Sequence, residues 1–128
     1  MLNNSETYAS MSTNDIAAAR EFYGDRLGLS VNVESLEGMG DMLWITHPDG
    51  MRTLIYPKAD HAPATHTILN FVVDDLDAAM ADLRSRGVTF EKMEWAGDDD
   101  VARDPSGATP PRAWLRDPAG NWLSVSGK

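Results

Sequence analysis

A chain of 128 residues, 42% hydrophobic and 24% charged, is long enough for a real core and ordinary enough in composition for one globular domain over residues 1–128. Its 20 acidic against 11 basic residues leave a formal net charge of −9, a surface that repels phosphate backbones and anionic lipid, so neither nucleic acid nor a membrane is an expected partner. The absence of cysteine excludes disulfides, thiolate catalysis and cysteine-held metals, and the lack of a signal-like start in MLNNSETYAS or of any membrane-length apolar run predicts a cytoplasmic protein.

Residues 1–5 are polar and read as a frayed end. Thr7, Ala9 and Met11 alternate with Tyr8, Ser10 and Ser12, which predicts a first strand. Caps at Ser12 to Asp15 precede an apolar stripe of Ile16, Ala19, Phe22, Tyr23 and Leu27, a helix stopped by Gly28. Strands are expected over 29–36, 42–46 and 52–56, separated by the Gly38/Gly40 turn and by Pro48-Asp49-Gly50. Residues 58–64 form a linker. Leu69, Phe71 and Val73 then alternate with His66, Ile68, Asn70 and Val72 as a strand, and Asp74-Asp75 caps a helix striped by Leu76, Ala79, Met80 and Leu83 and closed by Gly87. A strand over 88–93 is expected next. A long Gly- and Pro-rich segment, 94–111, suits a lid. Strands over 112–116 and 121–126 flank the turn Asp117-Pro118-Ala119-Gly120.

Laid over each other, the stretches 6–57 and 65–127 repeat the order strand, helix, three strands. One such unit leaves a sheet face open, so two copies must pair to bury it. The predicted class is α+β, built from two βαβββ modules.

The ordered set from Asp15 through Phe22-Tyr23 to Leu27-Gly28-Leu29, from Val73-Asp74-Asp75-Leu76-Asp77 to Gly87-Val88, and Asp117-Pro118-Ala119-Gly120-Asn121 resembles the vicinal oxygen chelate superfamily. That group includes glyoxalase I, extradiol dioxygenases, and the fosfomycin and bleomycin resistance proteins. The resemblance implies a cupped mixed sheet around a cavity, helices on the outer face, and a homodimer. In metal-bearing members it implies two ligands seven residues before the acid that opens each helix, and two about four residues after each turn glycine. Those positions here hold Tyr8, Ile68, Leu54 and Ser124, none of them His, Glu or Gln. No metal or other cofactor is therefore expected.

Strand parity assigns Ala9, Met11, Ile55, Leu69, Phe71, Leu115, Leu123 and Val125 to the helix side, and Tyr8, Arg52, Tyr56, His66, Asn70, Arg112, Trp114, Trp122 and Ser124 to the cup. The second set is aromatic and polar, as small-molecule sites are. Each member has a plainer role open to it: Trp114 and Trp122 as core filler, Tyr8 and Tyr56 bonded to backbone, His66 and Asn70 as hydrogen-bonded strand residues, Arg112 in a salt bridge. His47 and His61 read as solvated. The expected function is metal-independent binding of an aromatic or polar organic molecule. One alternative is a glyoxalase-like lyase, isomerase or dioxygenase, with a displaced metal site using His66 and Glu6, or with His66 or Tyr8 as acid–base group. Another is a partner domain whose cup is filled by its own side chains.

Overall fold

The computed structural model describes residues 1–128. The chain divides into two compact units, Met1–His61 and Ala62–Lys128, at a point inside the 58–64 segment.

In the first unit the elements run β1 (Ala9–Thr13), α1 (Ile16–Arg20), β2 (Ser30–Leu36), β3 (Gly40–Thr46) and β4 (Arg52–Pro57). Asp15 starts the helix by accepting a hydrogen bond from the Ala18 amide at 3.0 Å. After Arg20 the helix widens into a π-helical turn, Glu21–Arg26, marked by the Leu27 amide donating to the Phe22 carbonyl at 2.9 Å. This turn carries the buried neighbours Phe22 and Tyr23, whose rings meet edge to face at 5.2 Å. Gly28, at φ 72°, supplies the left-handed residue that ends it.

The four strands lie in the order β1-β4-β3-β2, with β1 and β4 parallel and the other pairs antiparallel. The register sets Met11 opposite Ile55, Ile55 opposite Leu43 and Thr53 opposite Ile45, and all of these are buried. A sheet with one such apolar face needs cover, which α1 provides against β3 and β4.

The second unit runs β5 (Thr67–Val72), α2 (Leu76–Ser85), β6 (Arg112–Arg116) and β7 (Trp122–Ser126). Asp75 repeats the role of Asp15, accepting from the Ala78 amide at 3.0 Å. Its sheet has the order β5-β7-β6, with β5 and β7 parallel and β6 and β7 antiparallel. Leu69, Leu123 and Leu115 align across it, as do Phe71, Val125 and Ala113, and form the apolar side. The core of this unit also takes Leu76 and Met80 of α2 with Val88, Phe90 and Val101.

Three sequence expectations need correction. Residues 88–93 are not a strand. The outer edge of β6 is shared instead: the Glu91 amide donates to the Trp114 carbonyl, and Ala102 exchanges both backbone bonds with Arg112. The chain leaves that edge after one bond because Val88 and Phe90 turn into the core. The two histidines read as solvated are bonded: His61 Nδ1 lies 2.6 Å from Ser12 Oγ, and His47 Nε2 lies 2.9 Å from the buried Thr53 Oγ1. Finally, β5 carries a bulge between Thr67 and Leu69, so two residues face Trp122 where regular pairing would place one. That extra residue shifts the alternation, and Thr67, not His66, shares the Trp122 side.

Candidate functional site

Each sheet has a second face, opposite its apolar one, and there the chemically capable side chains collect. In the first unit Tyr8, just ahead of β1, packs its ring edge-on against Trp44 of β3 at 4.9 Å. The Arg52 guanidinium lies 4.0 Å from the Trp44 ring centroid. Arg52 and Tyr8 flank the same end of the β1/β4 pair, which is why one indole reaches both. Such ring pairs contribute about 0.5–1.5 kcal/mol beyond area burial, and an exposed cation–π contact about 0.5–1 kcal/mol. Tyr56 stands opposite Ser12 on this same face and is partly buried.

Trp44 was not among the residues singled out from the sequence. The signal for it was available in the duplication: Trp44 lies four residues before Pro48, as Trp114 lies four before Pro118.

In the second unit Trp114 of β6 sits opposite Ser124 of β7, which sits opposite Asn70 of β5. The fully buried Ser124 hydroxyl donates to Asn70 Oδ1 at 2.6 Å. That bond leaves the Asn70 NH₂ donors directed away from Ser124, and Asn70 itself is exposed. The Trp114 indole N–H donates to Thr67 Oγ1 at 3.2 Å. Trp122 carries the Arg116 guanidinium at 5.1 Å from its ring, while Arg116 also pairs with Glu91 at 2.9 Å. Arg112, two residues before Trp114, occupies the same side of β6.

The residue His66 lies outside this group. It precedes β5, is exposed, and has no side-chain hydrogen bond. Tyr8 is half exposed, and its recorded contact is with Trp44. Neither is paired with a second acid–base group. Glu6 is exposed ahead of β1.

The segment 94–111 is held by charge. Asp100 adopts a left-handed φ of 68° and bridges Arg84 at 3.1 Å and Lys92 at 3.0 Å. The Arg103 fork grips both carboxylate oxygens of Asp99, at 3.1 and 2.7 Å, and holds that carboxyl down to about 2. These pairs consume Asp99 and Asp100 internally. The same segment presents Trp95, 65% exposed, edge-on to Trp114 at 6.1 Å.

A groove of about 660 Å³ opens on the other side of the first unit, between α1 and β2, lined by residues such as Ile16, Arg20 and Val31. None of the aromatic-face rings lines it, so its size does not make it the site.

A family model for the glyoxalase/bleomycin resistance protein/dioxygenase superfamily matches residues 7–125. The chain belongs to that superfamily. Among solved structures, it is similar to TnmS3, an antibiotic binding protein from Streptomyces sp. CB03234, with 20% identity over 97% of each chain and a TM-score of 0.71. It is also similar to the fosfomycin resistance protein FosX from Listeria monocytogenes, with 10% identity over 96% of this chain and 90% of that one and a TM-score of 0.73. Lactoylglutathione lyase from Agrobacterium tumefaciens gives 21% identity, coverage of 96% and 93%, and a TM-score of 0.67. At these identities the likeness shows the fold. No curated protein matches the chain by sequence.

Metal-bearing members of the superfamily would need donors at the positions of Tyr8, Leu54, Ile68 and Ser124. A phenol engaged with an indole, two aliphatic chains and a hydroxyl committed to Asn70 do not fit a divalent ion. No group of three or more His, Asp or Glu side chains elsewhere converges as a metal site requires.

Proposed function

We propose that this chain binds a small organic molecule, aromatic or polar, against the sheet face of the second unit that bears Trp114 and Trp122, with the Trp44 face of the first unit as its counterpart in the duplication, and that it does so without a metal ion. What supports this reading is that the positions the resemblance assigns to metal ligands hold Tyr8, Leu54, Ile68 and Ser124, on faces otherwise built of rings and hydrogen-bonding groups. Sequestration is the simplest mechanism. Rings stack on the part of each indole that stays open, since Trp44, Trp114 and Trp122 are only partly buried, and the Asn70 amide supplies directional hydrogen bonds. Arg112 adds a cation on the second unit's face, and Arg52 and Tyr56 add polar groups on the first unit's face. The superfamily relationship supports a homodimer as the working form. Similarity to an antibiotic binding protein and to a fosfomycin resistance protein agrees with this class of role without naming the ligand.

The test has two arms. Protein purified without chelator goes to elemental analysis, where stoichiometric Zn, Ni, Mn or Fe overturns metal independence. A thermal-shift screen of aromatic and polar small molecules follows, in which a binder raises the midpoint by mass action. A screen with no binder overturns the binding reading.

A further inference from the structure

The free protein leaves one side chain of the second unit unsatisfied. The Nε of Arg112 is buried and has no hydrogen-bond partner. The ion pairs of the chain engage Arg26, Arg84, Arg86, Arg103 and Arg116, but not Arg112. Arg52, the other arginine on these faces without a carboxylate, has its cation on the Trp44 ring. A buried donor left unmade costs stability, and a guanidinium cannot escape that cost by losing its proton. In a chain with 20 acids a carboxylate partner was available in composition and is absent in space.

The charge of the surroundings points the same way. Strands β1, β4, β5, β6 and β7 contain no Asp or Glu, and they contain three arginines, Arg52, Arg112 and Arg116. The acids lie on the helices, the loops and strands β2 and β3. A protein of net charge −9 thus keeps negative charge off all three strands of the sheet that bears Arg112 and Trp114. Acids are depleted in strands generally, but the arginines that remain give this face a positive sign, and a cationic ligand would favour the opposite arrangement.

We propose that Arg112 receives an oxyanion, and that the ligand is an organic anion whose flat apolar body lies on Trp114 while its carboxylate, sulfonate or phosphonate meets the guanidinium. This rests on the binding reading above and narrows its ligand class. Arg112 and Trp114 project from the same side of β6 at a two-residue spacing, so one molecule of modest length spans both. The guanidinium fork presents parallel N–H donors to such a group, and the partly buried position weakens screening of the pair by solvent.

The experiment compares 2-naphthoate with 2-naphthamide, which share their rings and differ in charge, by titration calorimetry on the full chain. A charge-assisted bond at a partly buried site predicts a preference for naphthoate of about tenfold or more. Arg112→Met keeps most of the aliphatic stem and discards the cation. It should reduce the preference to within about twofold by weakening naphthoate more than naphthamide, and not lower the Tm of the free protein. Equal affinity of the parent chain for both probes overturns the anion assignment and leaves the binding reading standing. So does an Arg112→Met variant that keeps its preference, or one whose Tm falls by several degrees, which would make Arg112 structural. Failure of either probe to bind, together with a library screen that finds nothing, overturns both readings.

Discussion

Asp117→Ala tests the turn that holds β6 against β7. The Asp117 side chain is buried, and its carboxylate accepts the Ala119 and Asn121 amides through Oδ1 and the Asn121 side-chain NH₂ through Oδ2, each at 2.9 Å. Alanine removes both acceptor oxygens and with them all three bonds. Ala119 is partly exposed and rehydrates, but Asn121 is only 3% exposed, so two of its donors are left dry. At roughly 1–3 kcal/mol for each unmade buried donor, the loss is about 2–6 kcal/mol. The first unit supplies its own control. In the corresponding turn the Asp49 carboxylate accepts the Met51 amide at 2.9 Å in an exposed setting, so Asp49→Ala costs about 1 kcal/mol or less. Urea unfolding followed by tryptophan fluorescence reads both, with the midpoint falling and the slope unchanged. The turn also sets Arg116 opposite Trp122, so the Asp117 variant should bind ligand more weakly even where it is fully folded. A loss for Asp117→Ala no greater than that for Asp49→Ala would refute the assignment of a buried structural role.

Acid should release the 94–111 segment in a defined window. Because the Arg103 bonds hold the Asp99 carboxyl at about 2, below its ordinary 3.8, their contribution is complete above 3.8 and drains away as pH falls toward about 2. Hydrogen exchange at the Val101 amide, which donates to Asp99 Oδ1, should accelerate through that range, and Arg103→Gln should move the midpoint up; an unmoved midpoint contradicts the cause. Gly24→Ala reverses a propensity argument. Helix propensity favours alanine by about 1 kcal/mol, yet a Cβ at Gly24 would stand 2.9 Å from Val31 Cγ2, and overpacking of that kind costs about 1–3 kcal/mol. The expected result is a net drop in Tm, and a rise would show that Val31 moves aside. A double-mutant cycle of Arg52→Met with Trp44→Leu should return a coupling of about 0.5–1 kcal/mol in denaturant unfolding, and additivity would remove the cation–π contact from the account.

Much of this architecture was legible because local signals agreed with one another. Asp15 and Asp75, each placed before a stripe of helical period, do cap helices, and the alternation of Met11 with Ser12 or Leu115 with Trp114 does sort the sheet faces. What escaped was non-local. The bulge ahead of Leu69 depends on how β5 meets β7, and no residue type in Thr67-Ile68-Leu69 announces it, so His66 was assigned to a face by an alternation that had already shifted. The 88–93 stretch has strand-like composition, but Val88 and Phe90 are drawn into the core and only the Glu91 amide reaches the β6 edge, which Ala102 rejoins at Arg112. His47 and His61 looked solvated because their partners, Thr53 and Ser12, come from other strands. At the site, residue types were readable, while pairing was not: the sequence left Arg112 open to a salt bridge, and none is made.

The two anchor points on β6 bracket residues 92–101, which depart from the sheet at Glu91 and rejoin it at Ala102. Within that excursion Val101 is buried and Asp100 is clasped by Arg84 and Lys92, but Trp95 and its neighbours bear on no strand pairing. The excursion is thus an exchangeable cassette with fixed hinges. Its tip meets the sheet through the Trp95 ring, edge-on to Trp114, so a change there alters the surface around that indole and not the strand pairing beneath it.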